Sequence, residues 1–245
     1  MDKTLLIVLV IILILIINFI ILAIYIGKQY NNTDWGHPFT NILDGLLRFY
    51  CQRYHRQWNF KIDIPKNKKV LLAANHISAL DPFLLVAATD RPIRFMIAKE
   101  EYEKPILNRL FKAAGCIPVD RRGRVEGALR NAMRAIEKGE LVAIFPQGGI
   151  HNEETPREII KPGIMRLSKL TGCHILPVHI SGVAAPGSMV ACLFLRGNVS
   201  FRVHSLVSPD EIQKPEFRSE ISEWLLGRSK YIKLENEQDS EVNSE

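Results

Sequence analysis

Between Leu5 and Ile26 the chain runs for 22 residues without a charge, and only Asn18 and Tyr25 bring polar atoms. At about 1.5 Å per residue, a helix of that length reaches roughly 33 Å, enough to cross the hydrocarbon core of a bilayer. A helix buried in a globular core rarely stays apolar on every face for so many turns. A secretory signal has a shorter apolar core and small residues at a cleavage site, and Ile24-Tyr25-Ile26-Gly27-Lys28 offers no such pair. The stretch therefore reads as a permanent membrane anchor within residues 1–28. A plain soluble cytosolic protein is excluded.

The flanking charges suggest an orientation. Lys3 precedes the stretch, whereas Lys28, Arg48, Arg53 and Arg56 follow it. That basic excess places the C-terminal body on the cytoplasmic side of a single N-terminal anchor. Residues 29–60 form a membrane-proximal helical segment in which Phe39, Ile42, Leu43, Leu46, Leu47 and Phe49 alternate with those arginines. Such a basic amphipathic helix can lie along anionic headgroups. An ordinary surface helix docked on the domain carries the same pattern, and both readings stand.

The remaining length suits one domain, residues 61–232, followed by an acidic tail at 233–245 that is disordered by composition. The last eleven residues hold five acidic side chains and no basic one, and without them the net charge rises from +6 to +11. A basic body favours anionic lipid or phosphate-bearing substrates. No aromatic–basic recognition motif points to nucleic acid. Cys51, Cys116, Cys173 and Cys192 form no CxxC pair, so they read as reduced core thiols without a metal.

Short apolar runs at 70–74, 94–98, 116–119, 141–145 and 174–180 read as buried strands. Helical patterns at 100–114, 124–138 and 162–171 separate them, with Gly115, Gly139 and Gly172 at helix ends as C-terminal caps. Leu193–Phe194 and 200–207 add strands, and 209–227 a closing helix. The fold class is α/β, a largely parallel or mixed central sheet flanked by helices and preceded by the membrane helix.

The chemistry concentrates after the first strand, in Asn75-His76 and Asp81. Sites in α/β sheets form beyond the carboxyl ends of strands, where this spacing puts His76. If the loop curls, the Asp81 carboxylate can hold one ring nitrogen of His76 and leave the other as a base. The same two residues can equally cap a helix. No G-x-S-x-G elbow or catalytic cysteine accompanies them, so the base would act on a substrate hydroxyl directly.

Four ordered blocks, Asn75–Asp81, Gly115–Arg121, Phe145–Ile150 and Leu176–Gly182, resemble those of the glycerolipid acyltransferase family, most strongly the lysophosphatidate (1-acylglycerol-3-phosphate) acyltransferases. The resemblance covers roughly residues 60–205. It implies that His76 deprotonates the free hydroxyl of a lysophospholipid acceptor, oriented by Asp81. The hydroxyl attacks the thioester of acyl-CoA or acyl carrier protein, a co-substrate, with no further cofactor. The product would be phosphatidate, in phospholipid biosynthesis at the membrane. By the same resemblance Arg121 binds the acceptor phosphate, Gln147, Gly148 and Gly149 line the substrate, and Lys99 assists. Arg121 could instead pair with Asp120, and Lys99 could be a solvated helix-start residue.

The third block departs from the family, with FPQGGI in place of FPEGTR. Gln147 keeps an acceptor but loses the charge, and Ile150 replaces an arginine, a contact that Arg157, His151 or Lys161 could supply. Another lysophospholipid or a lyso-aminolipid as acceptor, or a catalytically silent lipid-binding homologue, are the alternative readings.

Overall fold

The computed structural model describes residues 2–58, 60–121, 123, 125–150 and 160–227. Helix α1 (Lys3–Tyr30) contains the whole apolar stretch, and its most apolar window has no buried residue. Helix α2 (Pro38–Arg53) turns back across its C-terminal end. There the two backbones touch: a Cβ on Gly45 would lie 1.8 Å from the Gly27 carbonyl oxygen, so the crossing needs glycine.

The domain then alternates β1 (Val70–Ala74), α3 (Asp81–Ala88), β2 (Ile93–Ala98), α4 (Lys99–Tyr102), α5 (Pro105–Ala113) and β3 (Ile117–Val119). It continues with α6 (Glu126–Glu137), β4 (Leu141–Ile144), α7 (Gly163–Thr171), β5 (His174–Ser181), α8 (Ala191–Phe194), β6 (Ser200–Val203), α9 (Pro209–Ile212) and α10 (Phe217–Leu225). The strands form one sheet in the order β3-β2-β4-β1-β5-β6. The first five are parallel, and β6 pairs antiparallel with β5. The expected mixed α/β architecture is the observed one.

Each sheet face has its own apolar layer. Cys51 of α2 and Leu84 and Leu85 of α3 cover one face with Leu72 and Val178. Leu129, Ile164, Phe217 and Ile221 of α6, α7 and α10 cover the other. Strand β1 lies inside both layers and is buried at every position. This two-sided burial is why its sequence is continuously apolar rather than alternating. All four cysteines are buried and free, and burial pushes the Cys51 thiol up to about 12 and Cys116 up to about 11. All four are packing residues, and burial leaves Cys51 and Cys116 little thiolate character.

Four expectations change. The helix anticipated over 100–114 splits into α4 and α5 at Lys104, and that over 209–227 into α9 and α10 around Pro215. In both, the residue before a proline is disfavoured in the α region, and Lys104 is extended at ψ 125°. Leu193–Phe194 is not a strand but part of α8, because the Ser188 hydroxyl accepts from the Val190 and Ala191 amides and starts a helical turn. The strand at 200–207 ends at Val203, with only an isolated bridge from Val207 to Ile175. The anticipated glycine caps hold, with φ of 64°, 76° and 65° at Gly115, Gly139 and Gly172.

A further point concerns α2, which the sequence left open between a helix along the headgroups and one docked on the domain. Arg48 is buried, as the docked reading requires. Its guanidinium donates to both Asp44 oxygens at 2.6 and 3.1 Å, to Thr33 Oγ1 at 2.7 Å, and to the Ala87 and Thr89 carbonyls at 3.0 and 2.8 Å. The last two are carbonyls at the C-terminal end of α3, which have no partner within their helix. Arg48 thereby fastens the α1–α2 unit to the domain. The acidic tail lies outside the described residues.

Candidate active site

The site follows from strand order. Strands β1 and β4 are parallel neighbours, with Ala73 opposite Ile144, so the loops that leave their carboxyl ends lie side by side. His76 leaves β1 and Phe145 leaves β4, and their rings stack with centroids 4.1 Å apart. Phe95 of β2 backs Phe145 at 6.2 Å. This aromatic wall fixes the plane of the imidazole and keeps one side apolar.

The loop after β1 curls back on Asp81, the first residue of α3, which is fully buried. Its Oδ2 accepts from His76 Nδ1 at 2.9 Å and from the Ile77 and Ser78 amides at 2.7 and 2.8 Å. The Ser78 hydroxyl donates to Oδ1 at 2.6 Å. Two backbone amides already point their hydrogens at Oδ2, so that oxygen acts as an acceptor toward Nδ1 as well. Nδ1 of His76 is therefore the protonated nitrogen, and Nε2 carries the lone pair. One carboxylate organises the loop and orients the ring, and it does not cap the helix, since the N-cap of α3 is Leu80, without a side-chain bond. The His76 side chain remains 17% exposed, which leaves a path to substrate.

Gln147 comes into the site through its side-chain carbonyl. Oε1 accepts from the His76 amide at 2.9 Å, and the residue is buried. That task needs only an acceptor, so the replacement of a family glutamate by glutamine preserves it. Gly148 follows at φ 81°, a left-handed conformation suited to glycine. Its carbonyl accepts from Arg121 Nη1 at 2.7 Å. Its missing side chain also makes room for Lys161, whose Nζ would lie 2.4 Å from a Cβ there. The Lys161 amide in turn donates to the Pro146 carbonyl at 2.9 Å. Gly149 has open space where a Cβ would stand.

Residues 76, 81, 121, 147 and 148, drawn from three separate segments, are thus joined by hydrogen bonds and the 147–148 peptide link. Two cations, Arg121 and Lys161, converge on Gly148, and among the described residues neither forms an ion pair. An anion is the natural third partner. Of the substitutes considered for the missing arginine, Lys161 is at the loop, while His151 and Arg157 lie outside the described residues. Lys99 stands apart. It opens α4, half exposed, with its ammonium 3.9 Å from Glu103, and no hydrogen bond or ion pair links it to His76, Asp81 or Arg121 among the described residues.

Two supports escaped the sequence reading. Asn75 is buried and clamps β5, donating Nδ2–H to the Ile180 carbonyl at 2.9 Å and accepting the Ile180 amide at 2.6 Å. A polar residue directly after a fully apolar strand is the signal for such a clamp. The Gly187 amide donates to the Ile77 carbonyl at 2.7 Å, which ties the β5–α8 segment to the loop that carries His76.

Comparison with known proteins follows the same lines. A family model described as Acyltransferase matches residues 56–181. A Mycoplasma genitalium protein named "Probable 1-acyl-sn-glycerol-3-phosphate acyltransferase" is 35% identical over 126 residues, covering 49% of this chain and 46% of that protein. The 1-acyl-sn-glycerol-3-phosphate acyltransferase of Borreliella burgdorferi is 24% identical over 179 residues, 70% of each chain. The match thus spans less than half the length of the first relative. Among solved structures, the 1-acyl-sn-glycerophosphate (LPA) acyltransferase PlsC from Thermotoga maritima superposes with a TM-score of 0.61 at 22% identity, covering 80% of this chain and 81% of that one. That likeness extends the shared fold beyond the matched blocks.

Proposed function

Because the chain belongs to the acyltransferase family, we propose that it moves a fatty acyl group from acyl-CoA or acyl carrier protein to the free hydroxyl of 1-acylglycerol-3-phosphate, making phosphatidate for phospholipid synthesis. The observation that carries this reading is the Gln147–Gly148 loop, which bonds to an oriented histidine and meets two cations that have no ion-pair partner among the described residues. His76 Nε2 takes the acceptor's hydroxyl proton as the oxygen attacks the thioester carbonyl. The tetrahedral adduct collapses with cleavage of the carbon–sulfur bond, and the imidazolium returns its proton to the departing thiolate. Asp81 stabilises that imidazolium and holds its tautomer. Stacking on Phe145 limits rotation of the ring, so the base is aimed before substrate arrives.

Arg121 and Lys161 bind the acceptor phosphate, the guanidinium offering two parallel donors and the ammonium a point charge. Helix α1 anchors the enzyme in the membrane where lysolipids reside, with the domain on the cytoplasmic side. Ile150 removes one family cation, which favours a second acceptor class, a lysophospholipid with a substituted phosphate. Incubating membranes that carry the protein with labelled donor and a panel of lysolipids separates the two. Product from lysophosphatidate above all others is expected. Product from lysophosphatidylcholine and none from lysophosphatidate would overturn the assignment.

A further inference from the structure

The connection between β5 and β6 carries large apolar side chains that no described part of the chain covers. Met189, Val190, Phe194 and Leu195 are 51%, 61%, 71% and 51% exposed. The segment is nonetheless firmly held. The Ser188 hydroxyl caps its first turn, and Cys192 is fully buried beneath it. The hydroxyls of Tyr50 on α2 and of Tyr54, just past its end, donate to the Leu193 and Phe194 carbonyls. Apolar groups kept exposed by a fixed backbone, rather than tucked inward, mark a contact surface.

Three observations say what the contact is. First, the rim is continuous with the membrane helix. An open apolar groove of about 530 Å³, lined by Leu47, Tyr50, Tyr54, Phe83, Leu193 and Phe194, joins it to α2. The neighbouring side of α2, through Gly45 and Phe49, rests on Gly27 and Tyr30 of α1. Second, the rim has a cationic and aromatic border. Arg53, Arg56 and Arg196 are exposed, and the bond from the Val199 amide to the His55 carbonyl brings the chain near 196 beside 56. Trp58, 67% exposed, stands next to them. Apolar side chains edged by guanidinium groups and an indole match an anionic lipid interface. Third, the surface adjoins the catalytic loop, since Phe83 follows Asp81 by two residues and Gly187 bonds to Ile77.

From these contacts we infer that segment 188–196 is a second membrane element, which inserts its apolar rim into an anionic phospholipid leaflet and opens the groove to lipid rather than to water. The inference rests on the membrane anchoring proposed above for α1. A single surface then contains α1, the open side of α2 and α8, and the acceptor reaches His76 without leaving the leaflet. No other class of partner is required by the charge pattern.

Lipid quenching tests this on the full-length chain in vesicles of phosphatidylglycerol and phosphatidylcholine. Since all four native cysteines are buried, a thiol-reactive fluorophore will label an introduced cysteine selectively. Phe194→Cys and Val190→Cys report the rim, and two positions ensure a reading if one variant misfolds. Leu13→Cys reports α1. Glu220→Cys on α10 reports the opposite sheet face and should be indifferent to lipid. Fluorescence at 190 and 194 is expected to be lost to a spin-labelled lipid quencher at shallow depth, and at 13 to a deep one. Loss at 13 with none at 190 and 194 would overturn the inference while leaving the anchor intact. No loss at 13 would overturn the anchoring on which it rests.

Discussion

Helix α3 ends on a buried carboxylate pair at each side, and the two pairs do different things. At its N-terminal end Asp81 holds His76; at its C-terminal end Arg48 of α2, itself held by Asp44, donates to the last carbonyls. The Arg48–Asp44 side chains are 3% and 1% exposed, and all three guanidinium nitrogens are engaged. His76 is 17% exposed, with Nδ1 engaged and Nε2 without a hydrogen bond among the described residues. Burial and pairing alone therefore do not mark chemistry. A group with capacity left unspent does, and only the N-terminal pair has one.

Substitutions can break this contrast. Asp81→Asn keeps the size but removes the charge that stabilises imidazolium, and we expect turnover to fall by about 10³–10⁴-fold. Steady-state acyl transfer measured beside a thermal melt checks it, since the activity loss should far exceed what any loss of folded protein explains. Arg48→Met should do the reverse. It strands Asp44 and uncaps α3, with a destabilisation of about 3–5 kcal/mol, read as a lowered melting temperature in detergent. The specific activity of the molecules that stay folded should remain close to normal. If Arg48→Met silenced the enzyme without lowering stability, the sealed pair would be functional after all.

Smaller effects sharpen the picture on the active side. Arg121→Ala removes a charge-assisted contact worth about 1.5–3 kcal/mol. The acceptor's KM should therefore rise by roughly 10–100-fold at 1.4 kcal/mol per decade, while the donor's KM stays put. Equal changes in both constants would argue against a phosphate role. Gln147→Glu keeps the oxygen that accepts the His76 amide, so activity should stay within about tenfold of the parent, a cost near 1.4 kcal/mol.

Much of this was legible beforehand, for identifiable reasons. Strand β1 was readable because two-sided burial writes a continuous apolar run, and the His76–Asp81 spacing was readable because a single loop contains both residues. The meeting of His76 with Gln147 was not, since it depends on β4 inserting beside β1 in the sheet, which no spacing encodes. The burial of Arg48 was left open because an amphipathic stripe records which residues share a side and not what covers them. The separation of four between Asp44 and Arg48 was the available clue. The breaks at Lys104 and near Pro215 were visible too, in the prolines that follow, but helical periodicity ran through them and masked the stop.

The account rests on one nitrogen, the unspent Nε2 of His76. Its direct test is His76→Ala, assayed in matched membranes with labelled thioester donor and lysophosphatidate beside the unaltered protein. Product formation should be lost by about 10²–10⁴-fold, with the melting temperature unchanged because Asp81 keeps its Ile77 and Ser78 donors. Acyl transfer at the parent rate in that variant would contradict the mechanism.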